Sequence, residues 1–155
     1  MMQRDLSSDL SRQARFGPLA LIADDSPTMR IVTRHALERA GLQTVGVATP
    51  REVISVAEEV LPELFLLDIT FATGGQTDGY QLCRALRELP AFGATPILLV
   101  SGHAGIMDKM RGRLAGATGY SAKPFEMAEL IARVRQLADE EWRRRDKWAS
   151  RQLWR

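Results

Sequence analysis

Glu63-Leu64-Phe65-Leu66-Leu67-Asp68 is the stretch on which the reading of this chain turns. Four large apolar residues stand in a row after Pro62 and Glu63, and the run ends on a single carboxylate before a polar loop. An apolar run of this length with no polar interruption reads as a strand buried on both faces. Asp68 then sits at the C-terminal end of that strand, half out of the core. A carboxylate there is either a loop cap or a working group.

Working outward, the same grammar repeats. Upstream, Leu19–Ala23 is a short apolar run followed by Asp24-Asp25. Ser26-Pro27 then supplies an N-cap and a proline at the first helical position. Met29, Ile31, Val32, His35, Ala36 and Leu37 carry a helical period to Ala40, where Gly41 stops it. Thr44–Val47 is a second strand. Thr49-Pro50-Arg51-Glu52 reads as a capping box opening a helix with Val53, Ile54, Val56, Ala57 and Val60, closed by Pro62. Downstream of Asp68, residues 69–78 form a loop containing Gly74-Gly75. A third helix follows over 79–89 with Tyr80, Leu82, Cys83, Leu86 and Leu89 inward. Ile97–Val100 is strand four, trailed by Ser101-Gly102-His103. Helix four covers Ile106–Leu114, and Gly119–Ser121 is strand five. Lys123-Pro124 turns into helix five, which begins near Phe125 and buries Met127, Leu130, Ile131, Val134 and Leu137.

Five short strands alternating with five amphipathic helices predict an α/β fold, a doubly wound parallel sheet with helices on both faces. The 155 residues divide into an N-terminal arm over 1–17, one domain over 18–138 and a Trp-containing extension over 139–155. With 45% apolar and 26% charged residues, the chain has the composition of an ordinary globular domain. One cysteine, Cys83, excludes an intramolecular disulfide and reads as helix packing. The absence of a spanning run or a signal-peptide core leads to a cytoplasmic expectation. The formal charge is +2. The extension holds six basic residues (Arg143, Arg144, Arg145, Lys147, Arg151, Arg155) against four acids (Asp139, Glu140, Glu141, Asp146). It also carries Trp142, Trp148, Leu153 and Trp154. It reads as a continuation of helix five, a partner-docking segment or a basic aromatic surface segment, and its interleaved acids argue against nucleic acid.

Ligands of an open parallel sheet bind beyond the C-terminal strand ends, where the strand order reverses. Those ends offer Asp24 and Asp25 (strand one), Asp68 (strand three), Ser101 (strand four) and Lys123 just past strand five. If the order is 2-1-3-4-5, a common doubly wound order, three carboxylates converge in one crevice. Each close like-charged pair costs on the order of 4 kcal/mol at 4 Å and an effective dielectric near 20. Protons or a cation must offset that, and small carboxylate sites with room for water suit Mg²⁺. A cation, a lysine and a hydroxyl around one carboxylate suit a phosphoryl group carried on Asp68. His35 and His103 read as helix and loop residues. Gly74-Gly75 reads as a surface turn, since no Lys-Ser/Thr follows it.

Taken together, Asp24-Asp25-Ser26-Pro27-Thr28-Met29-Arg30, Leu66-Leu67-Asp68, Asp78-Gly79-Tyr80, Ser101-Gly102 and the run from Gly119 to Phe125 resemble the receiver domain of bacterial two-component response regulators over roughly residues 19–138. Within that family the chain looks most like single-domain regulators of twitching motility and chemotaxis-like pathways. The resemblance implies a CheY-like, flavodoxin-type fold and Asp68 as phospho-acceptor. It implies Mg²⁺ held by Asp24, Asp25, Asp68 and the backbone carbonyl of Thr70, with Lys123 and Ser101 on the phosphoryl oxygens. Tyr120 would be the aromatic switch that follows Ser101 inward, and Lys123–Pro124 a cis peptide. The implied donor is a histidine kinase, with a CheA-type kinase among the candidates. Output would be switched through the face of the fourth helix, fifth strand and fifth helix, or through the extension. Self-association into a homodimer is also open. Residues 139–155 are too few for a DNA-binding domain, so the expectation is a stand-alone receiver that acts by protein contact and is not an enzyme. Two other readings stand beside it. A receiver-shaped interaction module would never be phosphorylated. An aspartate-nucleophile phosphatase would need an acid two residues after Asp68, where Thr70 stands. The chain departs from the family between Asp68 and Asp78-Gly79, where the loop is about three residues longer and lacks the usual proline.

Overall fold

The computed structural model describes residues 17–70, 78–102, 105–123 and 126–153, with side chains as far as Glu140. The elements are β1 (Leu19–Ala23), α1 (Pro27–Arg39), β2 (Gln43–Val47), α2 (Pro50–Val60), β3 (Leu64–Asp68), α3 (Gly79–Glu88), a single 3₁₀ turn (Pro90–Phe92), β4 (Ile97–Ser101), α4 (Ile106–Leu114), β5 (Gly119–Ala122) and α5 (Met127–Leu153). The strands form one parallel sheet in the order β2-β1-β3-β4-β5. This is the predicted fold class and order. Most element ends fall within a residue or two of the sequence expectation. Residues 1–16 of the N-terminal arm, the centre of the long loop, His103, Pro124 with its expected cis peptide, and the tail tryptophans lie outside the described residues or side chains.

Every residue of β3 and β4 is buried, because each strand is covered on both sides. Alternate side chains serve two cores. Leu21, Phe65, Leu67, Ile97 and Leu99 point to one layer with Val53 and Ala57 of α2, Leu82, Cys83 and Leu86 of α3, and Phe92. Phe65 and Phe92 meet edge to face with ring centres 5.2 Å apart. Ala20, Ile22, Leu64, Leu66, Leu98 and Val100 point to the other layer with Leu37 of α1 and Leu130 and Val134 of α5. Fully burying a large aliphatic side chain contributes about 1.5–3 kcal/mol, so the Leu64–Leu67 run is a main anchor of the sheet.

The helix starts follow local chemistry. The Ser26 hydroxyl accepts the Met29 amide at 3.3 Å. Thr49 accepts the Glu52 amide at 3.4 Å, and its hydroxyl donates to the Glu52 carboxylate at 2.9 Å. Asp78 makes a full capping box with Gln81, so it is a helix cap. Leu61 closes α2 in the left-handed region at φ 49°, just before Pro62.

Two expectations are corrected by the packing. Ile31 and Val32 of α1 are exposed, at 55% and 46%. The Ser26-Pro27 start fixes the phase of α1 so that Thr33 and Leu37, one turn apart, face the sheet instead. Val60, at the end of α2, is also exposed. Helix α4 is more unusual. It buries only Gly112, while Ile106, Met107, Met110 and Leu114 are 51–81% exposed. At about 100° per residue these four fall in one stripe roughly opposite Gly112. The apolar face of α4 points away from the core.

Candidate functional site

The C-terminal edge of the sheet gathers the predicted side chains. β1 and β3 are neighbours, with Ala23 beside Leu67, so Asp24 and Asp68 emerge side by side. Carboxylate oxygens of Asp24, Asp25 and Asp68 all lie within 4.8 Å of one another. The Lys123 ammonium reaches in from the end of β5 and sits 3.0 Å from Asp68 Oδ2. The Thr70 amide donates to Asp68 Oδ1 at 3.1 Å. Asp68 is therefore buried, at 7% exposure, rather than half out of the core. The lysine and the returning chain close over it and satisfy both oxygens.

Backbone contacts lock this edge. The Lys123 amide donates to the Ser101 carbonyl at 2.6 Å, and the Ile69 amide to the Val100 carbonyl at 2.9 Å. The Ser26 amide donates to Asp24 Oδ1 at 2.9 Å, and the Arg30 guanidinium donates to the Asp24 carbonyl at 2.7 Å. Arg30 is a strut the sequence reading passed over. Its signal was present: a cation in the first turn of a helix runs against the helix dipole unless it has a partner elsewhere. Burial pushes the Asp24 carboxyl above the ordinary range. The Asp68 and Asp25 charges add to that, against the Ser26 amide and Lys123.

Ser101 is 1% exposed at the end of β4, one residue beyond the Asp68–Val100 pairing, and so shares the acidic edge. Tyr120 pairs with Leu99, two residues before Ser101 on β4. Its ring packs over Gly112 of α4, where a Cβ would meet it at 3.1 Å. Thr70 joins the site through its amide, whereas the expectation for it concerned the carbonyl. Cys83 lies in the core, where burial raises its thiol above the ordinary range.

The donor set fits a hard divalent cation. Mg²⁺ takes oxygen ligands and keeps several waters, and carboxylate oxygens within 4.8 Å of one another could reach one such ion. Asp24, Asp25 and Asp68 would hold it, and it would neutralise charge gathered on a transferring phosphoryl group.

Gly79, the first residue of α3, is forced by this edge. A Cβ there would lie 2.7 Å from the Asp68 carbonyl oxygen and 2.6 Å from Ile69 Cα. Gly79→Ala is expected to destabilise the fold by about 1–3 kcal/mol and to weaken Mg²⁺ binding by moving the Asp68 backbone. Thermal melts with and without Mg²⁺ check both, and unchanged melts would remove the close approach as a constraint.

Among curated proteins, the chain is 28% identical to protein PilG of Pseudomonas aeruginosa over 123 residues, covering 79% of this chain and 89% of PilG. It is 32% identical to the DNA-binding dual master transcriptional regulator RpaA of Synechocystis over 120 residues, 77% of this chain but only 48% of that protein. Several relatives are transcriptional regulators of which the chain spans about half the length. Among solved structures, a putative response regulator from Chloroflexus aurantiacus superposes with a TM-score of 0.73 at 32% identity, covering 79% of this chain and 98% of that one. Chemotaxis response regulator CheY4 of Vibrio cholerae does so at 0.73 and 26%, covering 78% and 98%. Residues 20–135 match the response regulator receiver domain, and the chain belongs to that family of two-component signalling domains.

Proposed function

We propose that Asp68 accepts a phosphoryl group from the phosphohistidine of a histidine kinase, with Mg²⁺ held by Asp24, Asp25 and Asp68, and that this switches binding of a downstream protein. The observation that carries the reading is the Lys123–Asp68 ion pair set against a second and third carboxylate. A lone structural ion pair has no need of two further acids pressed against it.

In this reading an Asp68 carboxylate oxygen forms the new bond to phosphorus as the phosphorus–nitrogen bond of the donor breaks. The bonding pair returns to the imidazole nitrogen. Lys123 holds a phosphoryl oxygen, and Ser101 supplies a hydroxyl at the same edge. A phosphatase of the aspartate-nucleophile class needs a general acid two residues on. Thr70 gives its amide to Asp68 instead, which favours a lasting acyl phosphate over turnover. A cytoplasmic location accompanies a kinase donor of this kind. Among the described residues, no helix is long and apolar enough to cross a membrane.

The outward stripe of α4 supports output by protein contact. Ile106, Met107, Met110 and Leu114 form an apolar strip along the outer face of α4. Lys109 and Arg113 lie beside it and, with Tyr120, line a recess next to β5. Charge complementarity then selects a partner segment that is helical, apolar along one face and acidic along its flank.

The test is phosphotransfer from small-molecule phosphodonors with and without Mg²⁺, read by intact mass. One phosphoryl increment is expected, dependent on Mg²⁺ and absent in Asp68→Asn. An increment that survives Asp68→Asn would sink the assignment. No increment at millimolar Mg²⁺ would favour the interaction module that is never phosphorylated.

A further inference from the structure

Tyr80 is the second residue of α3 and only 4% exposed. Its neighbour Gly79 abuts the acceptor backbone, with its amide donating to the Ile69 carbonyl at 2.9 Å. From there the Tyr80 ring reaches α4. The Tyr80 hydroxyl donates to the Asp108 carbonyl at 3.2 Å, and the Arg111 guanidinium stacks 4.5 Å from the ring centre. A phenol has one proton to give, and here the Asp108 carbonyl takes it.

Packing alone does not call for a hydroxyl at this position, since phenylalanine fills the same space. The attachment of α4 gives the hydroxyl a use. This helix buries only Gly112, against the Tyr120 ring and Leu99. Its main ties to the body are therefore Gly112 on Tyr120 and Leu99, and Asp108 and Arg111 on Tyr80. Both tyrosines stand within a few residues of the Asp68 edge.

We infer that Tyr80 is the positioning residue that couples the acceptor edge to α4, through the hydroxyl it gives to Asp108. Its input rests on the phosphoryl-acceptor reading of Asp68; the link between α3 and α4 does not. A ligand at Asp68 that favours this placement of α4 gains from the link, and by reciprocity α4 senses the ligand. A single neutral hydrogen bond corresponds to about 2- to 10-fold in such an equilibrium.

Tyr80→Phe, which removes the hydroxyl and keeps the ring, tests the inference. Its two readouts are titration with beryllofluoride in the presence of Mg²⁺, and amide hydrogen exchange of α4 in the metal-free protein. The variant is expected to lower beryllofluoride affinity about 2- to 10-fold. Exchange in α4 is expected to quicken by a similar factor while α1 and α2 keep the wild-type rates. Wild-type affinity in Tyr80→Phe would overturn the coupling. Faster exchange spread evenly over all helices would make Tyr80 an ordinary packing residue. If the wild-type chain takes no beryllofluoride, the acceptor reading fails, and exchange in α4 still decides the role of Tyr80.

Discussion

Asp24→Asn is expected to raise the melting temperature of the metal-free protein at neutral pH by roughly 3–6 °C, and to abolish Mg²⁺ binding and phosphorylation together. Three carboxylates share the acidic edge with one ammonium, that of Lys123. Each like-charged contact costs on the order of 4 kcal/mol at 4 Å and an effective dielectric near 20. Lys123 and solvent at the half-buried Asp25 offset much of this, so a net gain of about 1–2 kcal/mol on removing one charge is the reasonable scale. Asparagine keeps a carbonyl oxygen for the Ser26 amide, now at 2.9 Å, so little else changes. The pH dependence follows from the raised Asp24 carboxyl, whose first cause is burial. The folded state then holds this proton more tightly than the unfolded state, where the value is 3.8. Wild-type stability falls as pH rises through the folded value, and the difference from Asp24→Asn opens over that window and vanishes below 3.8. Mg²⁺ at ten times its Kd should restore about 1.4 kcal/mol to the wild type and nothing to the variant. Scanning calorimetry in chelator and in Mg²⁺ at several pH values measures all of this. A lower melting temperature in chelator at neutral pH would mean that the carboxylate is structural.

The parts of the molecule that the sequence announces are those set by short-range rules. Leu64–Leu67 and Ile97–Val100 are uninterrupted because helices cover both faces, and that coverage alone implies the parallel sheet. Asp24, Asp25, Asp68 and Lys123 were readable because each follows a strand, and strand ends in such a sheet share one edge. Two kinds of feature were hidden. The first is helix phase: Ile31 and Val32 look inward by composition, and the Ser26 cap turns them out. The apolar residues of α4 likewise mark a helix without saying which way it faces. The second is contact between distant residues. Tyr80 meets Asp108 and Arg111, 28 and 31 positions later, and no local pattern carries that. Arg87, near the end of α3, reads as a cation placed to suit the helix dipole, yet it lies inside a cage of carbonyls.

Arg87→Met is accordingly expected to cost about 3 kcal/mol, roughly an 8–12 °C fall in melting temperature, without weakening Mg²⁺ binding by the folded protein. The guanidinium donates to the Gly116 carbonyl at 2.8 Å, the Phe92 carbonyl at 2.8 Å, the Thr95 carbonyl at 2.5 Å and the Thr118 hydroxyl at 3.3 Å. It thereby ties the end of α3 to the loop before β4 and the turn before β5. The fork shape matters, since three carbonyls approach from separate directions and a planar group with five donors meets them together. Gly116 makes room for it: at φ +97° a Cβ would lie 2.8 Å from Arg87 Cγ. Methionine restores the apolar stem but strands three acceptors, and unsatisfied buried acceptors cost about 1–3 kcal/mol each before water relieves some of them. Arg87→Lys, with a point charge, is expected to recover less than half of the loss. These contacts sit at the starts of β4 and β5, the sheet edge away from Asp68, which is why Mg²⁺ affinity is expected to hold. Urea unfolding gives the stability term, and Mg²⁺ titration of the folded variant gives the other. A loss under about 1 kcal/mol would show that water replaces the guanidinium; a weakened Mg²⁺ site would show that the two edges of the sheet are mechanically linked through β4 and β5.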